Sequence, residues 1–421
     1  MPVRYWLETL GCPKNQVDSD KLAGLLESQG CRPSSRPERA DLVLVNTCAF
    51  IEQAREESID AILALASTKR PEARLVVTGC LAERYGRELA EALPEVDQVA
   101  GFGVPVELDA APFSAGAGRK TALPAFDLLN LPRSPAHAPW AYVKVAEGCD
   151  RRCGYCAIPS FRGRQRSRSQ EDILAEVEGL GVQEVVLVAQ DPVSWGRDVA
   201  GDGVGLPGLL RAVRARVPRV RVLYLHPSGL SGDLVEAIGE AGCPYFDLSL
   251  QHASGRLLRL MRRPGNASRW LAKVTSIRER WPEAALRSSF IVGYPGETEA
   301  DHDALLGFLD EAQLDWAGFF AFSREEGTLA ASLPDQVPTG LVAERISECS
   351  ELQDGITAER RQRLIGSECR ALVDAQGVAR SHREAPEIDG VITVPRGLST
   401  GEWIDLRIVE ANGPDLVGVA A

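Results

Sequence analysis

The stretch Val145-Ala-Glu-Gly-Cys149-Asp-Arg-Arg-Cys153-Gly-Tyr-Cys156-Ala-Ile-Pro-Ser-Phe-Arg-Gly163 governs how the rest of the chain is read. Its three cysteines stand in a CxxxCxxC spacing inside a short polar loop, where thiols at such density have no packing role. Three buried free thiols are the plain alternative. Zinc sites tend to pair one CxxC with another, or with histidines, and neither follows here. A cluster built only for electron transfer usually has a fourth cysteine close by. Three thiolates at Cys149, Cys153 and Cys156 would instead hold a four-iron cluster and leave one iron open to a chelating ligand.

Composition bounds the rest. The chain has 421 residues, 44% hydrophobic and 25% charged, enough for an ordinary core and about three domains. Lys+Arg is 47 against Asp+Glu 59, a net charge of −12, which does not suit a general nucleic-acid binder. The ten cysteines are not paired in close sets as in a small secreted scaffold, so metal binding in a reducing compartment is the better reading. Residues 1–9 read as a strand rather than a signal peptide. No apolar run has the length of a membrane span. A soluble, cytoplasmic protein is expected.

A second cysteine set lies in the first hundred residues. Three β-rich apolar runs, residues 3–12, 41–48 and 73–80, each end in cysteine: Cys12, Cys48 and Cys80. Helical patterns over 19–29 and 51–67 separate them. Alternating buried strands and helices predict a doubly wound parallel sheet. Such a sheet gathers the carboxyl ends of its strands on one edge, where ligands bind. The three cysteines then converge, which again suggests a cluster with one open iron, unless three small apolar residues end these strands by coincidence. Cys31, Cys243, Cys349 and Cys369 read as structural.

Residues 104–140, rich in Pro, Ala and Gly with Ser114-Ala-Gly-Ala-Gly118 inside, read as a linker or irregular crossover. Six strand patterns follow, at 141–146, 184–189, 221–226, 245–250, 287–292 and 316–322. Helical patterns at 170–179, 207–217, 232–241, 268–280 and 299–311 alternate with them. They predict a partial (β/α)6 barrel with its chemistry at the carboxyl ends of the strands. The cysteine loop leaves the first strand. With Gly148 before it and Tyr155 inside it, that loop resembles the cluster loop of radical-SAM enzymes, in which the amino and carboxylate groups of S-adenosylmethionine chelate the open iron. Gln190 with Asp191, and Ser249 with Gln251, would face the same mouth and contact S-adenosylmethionine, or serve as ordinary turn polarity. Gly293 permits close backbone approach to a ligand, or a plain turn. Tyr155 packs near the adenine, or only within its loop. Arg162, Arg164, Arg166 and Arg168 form a basic run, read as a phosphate or carboxylate contact or as a solvated face.

A long helical pattern spans 341–364. After Gly366 come short strands at 368–373, 390–394, 403–409 and 415–420 with Gly and Pro turns, a small antiparallel β-barrel. At this point nearly the whole chain resembles the methylthiotransferase family. Those proteins join a three-cysteine domain, a radical-SAM partial barrel and a TRAM barrel, which here implies domains at 1–103, 141–365 and 366–421. The branch that methylthiolates an aspartate of small-subunit ribosomal protein number twelve matches best. The residues that carry the choice are Leu10-Gly-Cys-Pro-Lys-Asn15, Asn46-Thr-Cys-Ala-Phe-Ile51, Glu147-Gly-Cys-Asp150, Cys156-Ala-Ile-Pro159, Leu250-Gln-His252, Ser323-Arg-Glu-Glu-Gly-Thr328 and Arg383-Glu-Ala-Pro-Glu-Ile-Asp-Gly390. The tRNA-modifying branch would show Gln-Met in place of Pro13-Lys14. Val193-Ser-Trp departs from the family's usual small-and-Tyr stretch.

The resemblance implies two 4Fe-4S clusters, S-adenosylmethionine, an external electron donor and a sulfur donor. The family's reaction replaces an unactivated C–H bond by C–SCH3, which needs a radical, because the β-carbon of an aspartate is not acidic enough for a base. The acids after Gly366, among them Glu384, Glu387 and Asp389, outnumber the bases. An acidic barrel suits a strongly basic ribosomal protein better than tRNA. Methylthiolation of a tRNA adenosine, and a non-catalytic two-cluster electron carrier, are the rival readings.

Overall fold

The computed structural model describes residues 2–104, 106, 127–199 and 203–421. The expected glycine-rich stretch at 114–118 lies outside the described residues. Contacts divide the chain into two compact units. The first runs up to Pro135 and adds Ala146–Asp150 and Ala157–Arg168. The second comprises Ala136–Val145, Arg151–Cys156 and Ser169–Ala421.

In the first unit the elements are β1 (Arg4–Thr9), α1 (Pro13–Ser28), β2 (Arg32–Pro33), β3 (Leu42–Thr47), α2 (Glu52–Thr68), β4 (Arg74–Gly79), α3 (Cys80–Ala92) and β5 (Gln98–Ala100). The strands lie in the order β2-β1-β3-β4-β5, all parallel. Every residue of β3 is buried, as expected of a strand covered on both faces. Val43 and Val45 pack with Ile62, Leu65 and Leu81, whereas Leu42 and Leu44 pack with Leu22 and Leu26. Alternate side chains thus feed two cores on opposite faces of one sheet. This strand order reverses direction between β1 and β3, and in doubly wound sheets ligands bind at that switch point, outside the carboxyl ends. The sequence reading misses α3, although Leu81, Tyr85 and Leu89 stand at helical spacing; it misses β2 and β5 because strands of two or three residues carry almost no periodicity.

The second unit opens with β6 (Trp140–Lys144). The chain then returns to the first unit for β7 (Ala146–Glu147), α4 (Ile158–Phe161) and β8 (Arg166–Ser167), with β7 and β8 paired antiparallel. The second unit resumes as α5 (Gln170–Leu180), β9 (Glu184–Val188), α6 (Gly205–Arg214), β10 (Arg219–Val222), α7 (Gly232–Glu240), β11 (Tyr245–Gln251), α8 (Gly255–Leu260), α9 (Ala267–Arg280), β12 (Ala285–Val292), α10 (Glu299–Ala312) and β13 (Trp316–Ala321). Its six strands form two parallel sheets, β10-β9-β6 and β11-β12-β13, with a parallel bridge between Leu225 and Leu248 joining them. This is the expected βα alternation. The largest difference is at β10, which runs Arg219–Val222 where 221–226 was expected. Tyr224 adopts φ 66°, which takes the chain out of the ladder, and its N–H donates to Asp247 Oδ2 at 2.8 Å. Side-chain caps hold the helix starts. Ser169, Ser231 and Asn266 accept from the backbones of Asp172, Leu234 and Arg269, each such cap contributing about 1 kcal/mol.

Helix α11 (Thr339–Gln362) leads to β14 (Glu368–Ala375), β15 (Val378–Arg380), β16 (Ile392–Thr393), β17 (Trp403–Asn412) and β18 (Asp415–Ala420), a closed barrel in the order β14-β15-β16-β18-β17. Ala371, Val373, Ile392, Leu406, Ile408 and Leu416 fill it. Four of the five pairings are antiparallel, and β16 with β18 is parallel. An odd number of strands cannot alternate direction all the way round a closed barrel, so one parallel pair is required.

Buried charge knits this barrel to β9–β12 and to α11. Glu184 meets Arg221 at 2.9 Å and Arg380 at 3.1 Å, and Arg361 meets Glu384 at 2.5 Å. Asp389 accepts from Tyr245 at 2.6 Å and from Arg287 at 3.2 Å. Two of the acids expected to face a basic partner are therefore internal. Glu384 and Asp389 have fully buried side chains, while Glu387 is exposed. Sequence charge counts cannot see this, because burial of a carboxylate depends on which distant arginine comes to meet it.

Candidate iron–sulfur sites

In the first unit each strand carrying a cysteine is tied at its carboxyl end. Cys12 caps α1, with Pro13 at the first helical position, where its missing N–H costs nothing. Asn15, on the first turn, donates to Leu10 O at 2.9 Å and Thr47 O at 3.0 Å, joining the loops that follow β1 and β3. Asn46 donates to Asn15 O at 2.8 Å and to Ser19 Oγ at 2.9 Å. Ser58 on α2 receives Cys48 N–H and donates to Cys48 O, both at 3.1 Å. Thr47 donates to Thr78 O at 2.5 Å, locking β3 to β4 just before Gly79 and Cys80.

The thiols feel one another. Burial, with the neighbouring Cys12 and Cys80, pushes the Cys48 thiol up to about 12. Burial likewise raises Cys80, against the pull of Arg162. Burial opposes ionisation of Cys12 as well. There the charges of Lys14 and Arg162, with the N–H groups of Asn15 and Lys14, prevail and hold the thiol below its ordinary value. Such a set is easily ionised as a whole only when a cation or cluster meets it. No three His, Cys, Asp or Glu side chains among the described residues are close enough to grip a single ion. The three thiols end neighbouring parallel strands and act on one another's ionisation, and a donor set of sulfurs alone suits an iron–sulfur cluster.

Of the two readings of the basic run, Arg162 takes the carboxylate contact, and the carboxylates are the protein's own. Its side chain is 1% exposed. Nη1 donates to both Glu147 carboxylate oxygens, at 2.8 and 2.9 Å. Nη2 donates to Asn15 Oδ1 at 2.8 Å and to Cys80 Sγ at 3.0 Å. Asp18 lies at 3.4 Å, and the Phe102 ring covers the guanidinium at 4.4 Å. The basic run is not one solvated face. Arg164 is 91% exposed, Arg166 pairs with Asp127 at 3.1 Å, and Arg168 is buried against Asn130. Also in this unit, Cys149 N–H donates to Gly163 O at 3.1 Å.

In the second unit Cys153 and Cys156 form a tight turn, with Cys156 N–H on Cys153 O at 3.3 Å. Gly154 between them is pinned by Met261 O at 2.9 Å and by Ala330 N–H at 2.8 Å. A Cβ there would lie 3.0 Å from Leu260 O and 3.1 Å from Tyr294 Oη, so a side chain would press on both. Tyr155 is half-buried, and burial raises its hydroxyl well above the ordinary value. Arg263, unmarked by any motif, donates to Cys153 Sγ at 3.7 Å and also to Ser249 O. Gln190 follows β9. Gln251 closes β11 with φ 73° beside a register shift. Asp191 receives Arg151 at 2.7 Å and Ser194 at 2.7 Å. Gly293 N–H is held by Glu297 at 2.7 Å, and a Cβ there would collide with Val342 of α11. Its glycine is thus required by packing. Cys31, Cys243 and Cys349 are buried and Cys369 is half-buried, as expected of structural thiols.

Comparisons with known proteins bear on the family and the fold. Residues 4–101 match a family described as uncharacterized protein family UPF0004, residues 143–309 the radical SAM superfamily, and residues 365–420 the TRAM domain. The chain is 44% identical to the ribosomal protein uS12 methylthiotransferase RimO of Moorella thermoacetica, over 97% of each chain. It is 40% identical to the RimO of Streptomyces coelicolor, over 98% of this chain and 95% of the relative. Among solved structures, the radical S-adenosylmethionine methyltransferase TsrM of Kitasatospora setae aligns with a TM-score of 0.52 at 16% identity, covering 95% of this chain and 84% of that one. That likeness speaks for the fold. At such identity over almost its whole length, the chain belongs to the RimO family of radical-SAM methylthiotransferases.

Proposed function

We propose that this protein transfers a methylthio group to the β-carbon of an aspartate in small-subunit ribosomal protein number twelve. It would do so with S-adenosylmethionine, two 4Fe-4S clusters, an external electron donor and a sulfur donor. The supporting observation is the gathering of Cys12, Cys48 and Cys80 at the strand ends of one parallel sheet, in a chain that also carries the Cys149, Cys153 and Cys156 loop. The clusters and S-adenosylmethionine, when bound, supply the radical and the sulfur chemistry that an unactivated C–H bond requires. The chain's own part is to hold and orient. Cys149, Cys153 and Cys156 ligate one cluster, and Cys12, Cys48 and Cys80 the other. Tyr155, Gln190, Ser249 and Gln251 line the S-adenosylmethionine site, while Gly293 shapes the turn behind it. The domains divide at 1–103, 141–365 and 366–421, with a linker at 104–140.

The substrate reading rests on the relatives' names and on the Pro13-Lys14 signature. On the barrel surface Glu368, Glu387, Glu402, Asp405 and Glu410 remain exposed against Arg370, Arg396 and Arg407, a modest acidic excess that favours a basic protein over tRNA. No helix among the described residues is long and apolar enough to cross a membrane. The protein works in the cytoplasm, where that substrate is made. The test is an anaerobic assay with S-adenosylmethionine and reductant against both the ribosomal protein and tRNA, read by mass spectrometry. Methylthio-aspartate on the protein is the expected product. Methylthio-adenosine in tRNA with an unmodified protein would replace this reading by its rival.

A further inference from the structure

We propose that Arg162 is a positioning residue that sets the reduction potential of the cluster held by Cys12, Cys48 and Cys80. The inference rests on the reading that these three cysteines hold a cluster. An arginine buried this deeply is costly unless its charge and its donors are matched. Here they are divided. Nη1 is spent on Glu147, with Asp18 behind it, and Nη2 is aimed at Asn15 Oδ1 and Cys80 Sγ. Only a rigid planar fork can serve a carboxylate on one side and a sulfur on the other at once, and lysine has no such geometry. The fork is immobilised by the Phe102 ring and by Asn15, which itself ties the loops after β1 and β3.

An N–H donor and a positive charge on a ligating sulfur stabilise the reduced, more negative state of an iron–sulfur cluster and raise its potential. The same guanidinium is bound to Glu147, two residues before Cys149 in the chain. Changes at Glu147 should therefore reach Cys80 through Arg162, with the opposite sign.

The experiment uses the full chain carrying Cys149→Ala, Cys153→Ala and Cys156→Ala, so that any cluster signal comes from the N-terminal triad. It is reconstituted anaerobically, its iron and sulfide are counted, and its midpoint potential is read by titration with electron paramagnetic resonance detection. Arg162→Gln is expected to shift the oxidised-to-reduced ratio at fixed potential at least tenfold toward oxidised, about 59 mV downward for a one-electron couple. Glu147→Gln, which removes the opposing carboxylate and leaves the fork on Cys80, is expected to move the midpoint upward. A parent protein that binds no iron overturns the cluster reading itself. A parent that binds iron, with Arg162→Gln at an unchanged midpoint, overturns the role of Arg162 and leaves the cluster reading standing. If Arg162→Gln takes up no iron, Glu147→Gln decides: an upward shift supports the proposal, and an unchanged midpoint overturns it.

Discussion

Gly79→Ala tests whether the strand-end geometry is what presents Cys80. Gly79 sits at φ 92°, ψ −160°, a region open essentially to glycine alone. A residue held there costs about 1–3 kcal/mol. An added Cβ would also collide with Asn46 Oδ1 and approach Thr47 O to 2.6 Å and Thr47 N to 2.7 Å. Forcing a methyl into such packing costs about another 1–3 kcal/mol, so the sum is roughly 2–6 kcal/mol. The damage falls on Asn46 and Thr47, the residues that bind Asn15, Ser19 and Thr78. Gly30 supplies the control. It also has a positive φ, 85°, but a Cβ there meets nothing within 4 Å, so Gly30→Ala costs only the backbone strain, about 1–2 kcal/mol. Urea unfolding of both variants gives the stability difference, and anaerobic iron uptake in the background lacking Cys149, Cys153 and Cys156 reports on the N-terminal triad. Gly79→Ala should be the less stable and should lose iron uptake, while Gly30→Ala retains it. Equal stability and equal uptake in the two variants would refute the packing argument.

Three further outcomes follow from the same geometry. The Cys12→Ala/Cys48→Ala/Cys80→Ala protein should bind about four irons where the wild type binds about eight, and should still cleave S-adenosylmethionine without forming methylthio product; full product would sink the assigned role of that triad. Glu384→Lys should destabilise the second unit by about 3–5 kcal/mol, because it strands Arg361 in the interior, whereas exposed Glu387→Lys should keep the fold and weaken binding of the ribosomal protein in low salt; equal thermal stability of the two variants would contradict the burial. Two buried carboxylates should bend the stability–pH profile in opposite senses. Despite burial, Arg380, Arg221 and Arg219 hold Glu184 down to about 2, so its contribution is present above its unfolded value near 4.5 and is lost as pH falls toward 2. Burial outweighs Arg287 at Asp389 and raises it to about 6, so its contribution is complete below the unfolded value near 3.8 and is lost as pH rises through 6. Glu184→Gln should therefore flatten the acid limb of a denaturation–pH series and Asp389→Asn the limb near pH 6; unchanged limbs would count against both assignments.

Much of the first unit's strand-end arrangement is legible in the sequence. Apolar runs over β1, β3 and β4 identify parallel strands, and parallel strands must bring their carboxyl ends to one edge. That topological necessity, and not sequence proximity, places Cys12, Cys48 and Cys80 together. The alternation of βα units in the second unit was equally plain, since periods of two and of 3.6 residues are local properties. What escaped were residues whose role is a partnership. Arg263 carries no motif, and only the fold of the segment after α8 brings it to Cys153.

By itself, then, the sequence determined the two cysteine triads, the parallel sheet, the partial barrel and the terminal β-barrel, because spacing and periodicity act over a few residues and strand direction follows from connectivity. Tertiary structure alone decided which charges face solvent. Arg162 reads as one of four alternating arginines, yet it is interior, since Glu147, Asp18 and Asn15 meet it there. Glu384 and Asp389 read as barrel surface, yet Arg361, Arg287 and Tyr245 enclose them. A buried charge is stable only where distant groups converge on it, and that convergence is a property of the folded chain.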